Sequence, residues 1–392
     1  MNVQVKYQRN LKLLTWVNFL GSFQLYAAIA IIYYAQVSGS YALGLTVFSI
    51  STLTSSIFDL PLGIFSDRTA RKTVLCLGIT ASLLQLIFIA LAVDFKLLAI
   101  GAIFGGLASA LFSGNNNALL HDTAREAGKG EEYSHNLGRI TSMTQLALGV
   151  ATIIGAAIAN QSLHLAIQLS IIPIALSLFI SLFIIEPELH DKASNYHYLH
   201  DLKEAVREFV RNIKLRNLMI GSVLESSLGE SSHQFQASFY ATFLPIWAIG
   251  LAKTATYITG FLGFFYSGKV IKRFKELPSL VFSSVFTRIT NLIAYGLPSI
   301  LSPVLVAANS ATFGIASVAK GSLFQQQFSP HQRATMGSLT SVVDNVAFSI
   351  LGPILGLLAD RLSPGIALVI FQVAMIPSVF LFRNLKSREV QN

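Results

Sequence analysis

Asp59-Leu-Pro-Leu-Gly63-Ile-Phe-Ser66-Asp67-Arg68-Thr-Ala70-Arg71-Lys72 closes one long apolar run and opens the next. An acid sits inside the first run. Pro61 and Gly63 break its rhythm, and then four charges within six residues form a very short polar turn. So short a turn between two runs of bilayer-spanning length makes them antiparallel neighbours. Gly63 lets two helices approach closely. Asp67 stands where the first helix ends, so its anion can meet a positive helix terminus or a guanidinium. Arg68, Arg71 and Lys72 anchor the turn to one side of the membrane.

The same grammar runs through the chain. Apolar residues fill 53% of 392 positions and charged residues 12%, about half the ~25% of a soluble domain. The surplus, 28 phenylalanines included, must face lipid. Twelve runs come close to the roughly 20 residues that a spanning helix needs, among them 13–36, 41–65, 97–119, 216–248 and 251–271. Of the 28 Lys and Arg residues, 24 fall on the side of the N-terminal tail. Lys96, Lys253 and Arg361 are assigned to the opposite face. An even number of spans with this bias places both termini in the cytoplasm, with the chain in the cell's inner membrane.

Other classes fit poorly. The net charge of +9 sits at the ends of apolar runs without interleaved aromatics, so nucleic acid is not an expected partner. The single cysteine, Cys76, rules out an intrachain disulfide. His190, His197 and His200 share the central loop with Glu188, Asp191 and Asp201, but their spacing matches no specific metal site. No phosphate-cradling glycine loop or nucleophile motif is present, so we expect neither an enzyme nor a cofactor.

A long polar segment, 186–215, interrupts the chain near its midpoint and divides it into 1–185 and 216–392. Leu199, Leu202, Val206, Phe209 and Ile213 follow helical spacing there, which predicts an amphipathic helix lying on the membrane surface. Gly138-Arg-Ile-Thr141-Ser142 returns as Gly337-Ser-Leu-Thr340-Ser341, and the same offset brings Gln145 onto Asp344. Two tandem six-helix halves explain this repeat most simply.

The stretch from Gly63 to Lys72 resembles the signature loop between the second and third helices of the major facilitator superfamily. The likeness extends over the chain in helix number, loop lengths and the long central loop. It implies an all-α membrane protein with 12 transmembrane helices in two pseudo-symmetric six-helix bundles. The activity implied is secondary transport by alternating access. In that family the acid and the following arginine latch one state, which assigns the latch to Asp67 and Arg68. This sequence has Ala70 where the family usually has glycine. The segment Ser113-Gly114-Asn-Asn-Asn117 through Asp122, with Gly138-Arg139 after it, is similar to a subgroup of bacterial carriers. There an acid stands where Asn115–Asn117 lie here, and Asp122 with Arg139 forms a candidate ion pair. The drug–proton antiporter branch has an arginine near the start of helix four and Gly-Pro in helix five; neither is found here.

Ionisable groups at bilayer depth are costly and functional by default. Asp59 is one. The span 216–248 holds Glu225, Glu230 and His233, with Glu225, Gly229, His233, Gln236 and Tyr240 on one helical stripe. A straight helix over 216–248 would be about 50 Å long, which predicts a break near Gly229. A carboxyl in low-dielectric surroundings favours its neutral form and can load a proton, so Glu225, Glu230, His233 and Asp59 are the proton-coupling candidates. Arg288 and Asp344 come at similar depth and form a candidate buried pair. Asn18, Gln24, Tyr26, Gln145, Gln236, Tyr240, Arg288 and Asp344 are candidates to line a substrate cavity. The expected partners are a small molecule, protons and the bilayer, with the chain acting as a monomer. Efflux is favoured slightly over its alternative, metabolite uptake; a transport-inactive sensor or scaffold is the reading from another class.

Overall fold

The computed structural model describes residues 3–128, 133–187, 207, 209–327 and 333–385, and among these the regular structure is helical. The first half contains α1 (Val3–Gly21), α2 (Ala30–Ser38), α3 (Tyr41–Arg68), α4 (Arg71–Ala90), α5 (Phe95–Phe112), α6 (Asn115–Glu126), α7 (Tyr133–Ala159) and α8 (Leu163–Ser181). The second contains α9 (Ile213–Tyr240), α10 (Ile246–Phe274), α11 (Glu276–Gly296), α12 (Ser302–Gln327), α13 (Arg333–Arg361), α14 (Pro364–Ala374) and α15 (Ile376–Arg383). Short polar residues start several of them. Asp94, Ser162, Asn212 and Ser363 each accept a hydrogen bond from the backbone N–H three residues on, which satisfies one donor left open by the helix start.

Ten helices among the described residues are long and apolar enough to cross a membrane. Two of the twelve expected spans look different. The first is broken: α1 stops at Gly21, a short 3-10 turn covers Ala27–Ile29, and α2 resumes at Ala30. The seventh, α9, is a 28-residue helix outside those ten, with the polar stripe Glu225–Tyr240 along it. The break expected near Gly229 is absent, since α9 runs unbroken from Ile213 to Tyr240. The chain turns instead at 241–245, where Pro245 caps the start of α10. The excess length of the 216–248 run is therefore divided between two helices. The fourth span also differs. The 97–119 run is divided by a turn at Gly114 (φ +72°), after which Asn115–Asn117 open α6.

Packing divides the chain into one unit of Met1–Gly39 with Val47–Ser194 and another of Ser40–Thr46 with Asn195–Asn392. The division at Ser194 falls within the 186–215 segment. The amphipathic helix and the histidine patch expected in that segment lie largely outside the described residues. In unit one, α1 packs on α6, α7 and α8, and α4 packs on α5 and α8. The broken first span is held from two sides. Leu25 N–H donates to Ser170 Oγ (3.0 Å), and Gly155 of α7 lies against the Leu25 carbonyl. In unit two, α12 packs on α10 and α11, α9 on α13 and α15, and α11 on α14. Large apolar side chains remain exposed, for example Phe265 (66%) and Phe282 (65%), as a lipid-facing surface requires.

Candidate functional site

The signature turn is docked by a carboxylate that sequence reasoning missed. Glu186, just beyond α8, accepts from Arg71 N–H (2.6 Å) and Lys72 N–H (2.7 Å) at the open N-terminus of α4. An anion placed there meets both unsatisfied donors and the positive helix end. Lys72 Nζ donates to the Leu182 carbonyl, and Asn115 links Ser66 to the Arg71 carbonyl. Asp67 pairs with Arg71 at 3.3 Å. Arg68 is exposed, with no hydrogen bond or ion pair among the described residues. Removing the double cap with Glu186→Ala is expected to destabilise the solubilised protein by about 1–2 kcal/mol, read as a lower unfolding temperature in detergent. Glu186→Asp, whose shorter arm still carries a carboxylate, should recover part of the loss.

Other candidates sit differently from expectation. Asp122 does not pair with Arg139; it is buried, and its ion partner is His121 at 3.5 Å. Arg139 is exposed on α7, and Asp59 is exposed on α3 without a hydrogen bond among the described residues. Tyr26 is buried in the unit-one core, with Tyr34 beside it. Gln24 bonds locally to the Gly21 carbonyl, Gln145 is exposed on α7, and Asn18 faces a cavity in unit one. Tyr240 is fully buried among Phe239, Phe243 and neighbouring side chains.

Most of the ionisable candidates converge in unit two. Lys253, counted from sequence on the outer face at the start of the 251–271 run, is buried at 4% exposure inside α10. Its ammonium donates to the His233 carbonyl (2.8 Å) and to Gln236 Oε1 (3.1 Å). Gln236 in turn donates to Tyr295 OH of α11 (3.2 Å). Glu230 accepts from Gln234 (2.7 Å) and lies within electrostatic range of Lys253. One turn of α11 earlier than Asn291, Arg288 donates to Gln372 Oε1 of α14 (2.7 Å) and contacts the Met375 sulfur. Asn291 shares Gln372 and also accepts from Asn309 of α12. Glu225 is held by Ser378 Oγ (3.1 Å) and lies within electrostatic range of Arg288.

The expected Arg288–Asp344 pair is not formed. Asp344 neighbours Ser226 and Lys320 instead, with one carboxyl oxygen buried and unpartnered. Among the described residues the ion pairs within 4.0 Å are Arg71–Asp67 and His121–Asp122, so neither buried cation has a carboxylate in direct contact. Two cations and two acids thus share one bundle without a direct bridge between them.

A sequence profile described as Major Facilitator Superfamily matches residues 11–350. The chain belongs to the Major Facilitator Superfamily. It is a multi-pass membrane protein of that superfamily's transporter fold. Solved superfamily folds superpose over nearly the whole chain. The nucleoside transporter NupG matches with a TM-score of 0.81 at 17% identity, covering 98% of this chain and 99% of that one. A bacterial homologue of the iron transporter ferroportin gives 0.76 at 16%, covering 99% and 100%. A POT family transporter in complex with a thioalcohol-conjugated peptide gives 0.71 at 14%, covering 98% and 97%. No curated protein matches the sequence. At these identities the likeness is one of fold, and the facilitator's chemistry rests on its own residues.

Proposed function

We propose that this facilitator is a proton-coupled secondary carrier of a small molecule, working by alternating access in the cell membrane with both termini in the cytoplasm. The observation that carries this reading is the loose cluster of Glu225, Glu230, Lys253 and Arg288 in unit two. Charges at membrane depth are expensive, and neither cation is neutralised by a direct bridge. Such a set is poised rather than locked. A proton on Glu230 frees Lys253 from its nearest counter-charge, and a proton on Glu225 does the same for Arg288. His233 is a third carrier candidate, because its carbonyl binds Lys253 and its ring lies close by. Protonation then biases one conformational state by the difference in interaction energy between states. The signature turn, held rigid by Glu186, is the latch in which Asp67 and Arg68 change partners between those states. The protein acts as a monomer.

Proteoliposomes with a trapped pH-sensitive dye test this. They are challenged in turn with a nucleoside, a short peptide and a hexose, the first two after the nucleoside transporter and the peptide-bound transporter of similar fold. Wild-type protein is expected to move protons when a transported solute is added. The polarity of the imposed gradient that drives accumulation distinguishes export from uptake. Glu225→Gln and Glu230→Gln should each abolish proton movement while solute exchange at equal pH persists. Unaltered proton movement in both variants would remove these acids from the coupling role.

A further inference from the structure

Unit one contains a cavity of about 220 Å³ between α1, α4, α6 and α7. Its polar lining is Asn18, Asn116, Asn117, Thr141 and Thr144, with leucines and Ile140 completing the wall and no charged side chain among the lining residues. We propose that this cavity is a binding site for an uncharged, hydrogen-bonding solute of monosaccharide size. The proposal is independent of proton coupling, because binding in detergent tests it without flux.

Asn18 donates to the Leu14 carbonyl (2.8 Å), while the other polar side chains of the lining make no hydrogen bond among the described residues. Threonines elsewhere in these helices, such as Thr15 and Thr80, donate to the carbonyl four residues back. Thr141 and Thr144 have no such bond among the described residues, and Asn117 has no protein partner there either. Asn116 Oδ1 is walled off from solvent without a partner, a state that costs about 1–3 kcal/mol. A ligand that draws the Asn116 amide round relieves that cost on binding. The contrast with the next residue back is informative. Asn115 is 1% exposed and spends its amide on Ser66 and the Arg71 carbonyl, so its role is structural. Asn116 and Asn117 follow it on the first turn of α6 and are left for something else.

Charge selects the ligand class. Taking an ion out of water costs several kcal/mol unless an opposite charge or a dense set of donors replaces its hydration. This lining offers amides and hydroxyls, which serve neutral donors and acceptors equally. Size selects further. The volume falls below the roughly 300–1,000 Å³ of pockets for drug-sized ligands, so a small metabolite fits better than a bulky amphipath.

Equilibrium binding to the detergent-purified full chain tests the assignment with matched probes: glucose against gluconate and glucosamine, and nicotinamide against nicotinate. We expect at least one neutral probe to bind, and its charged counterparts to bind at least tenfold more weakly. Asn116→Leu and Thr141→Val should each weaken the neutral probe about tenfold. Ser142→Ala, exposed on α7 and outside the lining with its hydroxyl on the Gly138 carbonyl, should leave it unchanged. Should Asn116→Leu lose its monodisperse profile on size exclusion, Thr144→Val supplies the same readout. Absence of binding by every neutral probe, equal binding by a charged counterpart, or wild-type affinity in the folded lining variants would each overturn the proposal.

Discussion

Lys253→Met is expected to reduce pH-gradient-driven solute flux at least tenfold, and unlike the glutamate variants to slow solute exchange at equal pH as well. The ammonium sits at 4% exposure and links the His233 carbonyl, Gln236 and, through Gln236, Tyr295. Methionine keeps the volume but removes both donations. The His233 carbonyl keeps its helix partner, but the buried Gln236 Oε1 loses its donor, which costs about 1–3 kcal/mol. Glu230 also loses the cation in its vicinity and no longer biases anything when it takes up a proton. Folded protein should still be recovered, with a lowered unfolding temperature. Adding Glu230→Gln to Lys253→Met should produce little further loss of flux, because the two residues act as one unit. Additive losses in this double-mutant cycle would separate Lys253 from the coupling acid.

Gly155→Val is expected to prevent recovery of folded protein altogether. A Cβ at this position would lie 1.7 Å from the Leu25 carbonyl oxygen and 2.8 Å from Leu25 Cα. The clash is with backbone, which cannot swing aside as a flexible side chain does. Leu25 is also held in place by its bond to Ser170. Overpacking of a well-packed interior costs typically about 1–3 kcal/mol and occasionally more, and this contact leaves no room to relax. Gly229→Ala is the matched control. Nothing lies within 4 Å of its Cβ position, and a mid-helix alanine should stabilise α9 by about 0.5–1 kcal/mol. Unfolding temperature and size-exclusion profile report both; a Gly155→Val variant that melts like wild type would contradict the close approach.

These two residues mark where the sequence was readable and where it was not. The helical character, the long central segment and the polar stripe of Glu225–Tyr240 follow from hydropathy and 3.6-residue spacing, which are local properties. Lys253 was misplaced because the apolar run flows through the turn at 241–245 without a change of composition. Pro245 was the available signal: a proline at a helix start sets the boundary, and it puts Lys253 two turns inside α10 instead of at the outer end of the 251–271 run. The break after Gly21 is set by Ser170 and Gly155, residues more than a hundred positions away, so no local pattern announces it. Glu186 is the same kind of case. Its carboxylate reaches the start of α4 across 115 positions, a pairing that only the packing of α8 on α4 creates. Arg288 and Asp344 were matched by depth along their helices. Depth alone leaves the azimuth open, and Arg288 turns toward α14 while Asp344 neighbours Ser226 of α9.

The decisive measurement is the number of protons moved per solute, obtained by following a radiolabelled solute and an internal pH dye in the same proteoliposomes. The account predicts a fixed, non-zero ratio for wild-type protein, and solute exchange without proton movement for the Glu225→Gln/Glu230→Gln double variant. Equal ratios in the two proteins would contradict it.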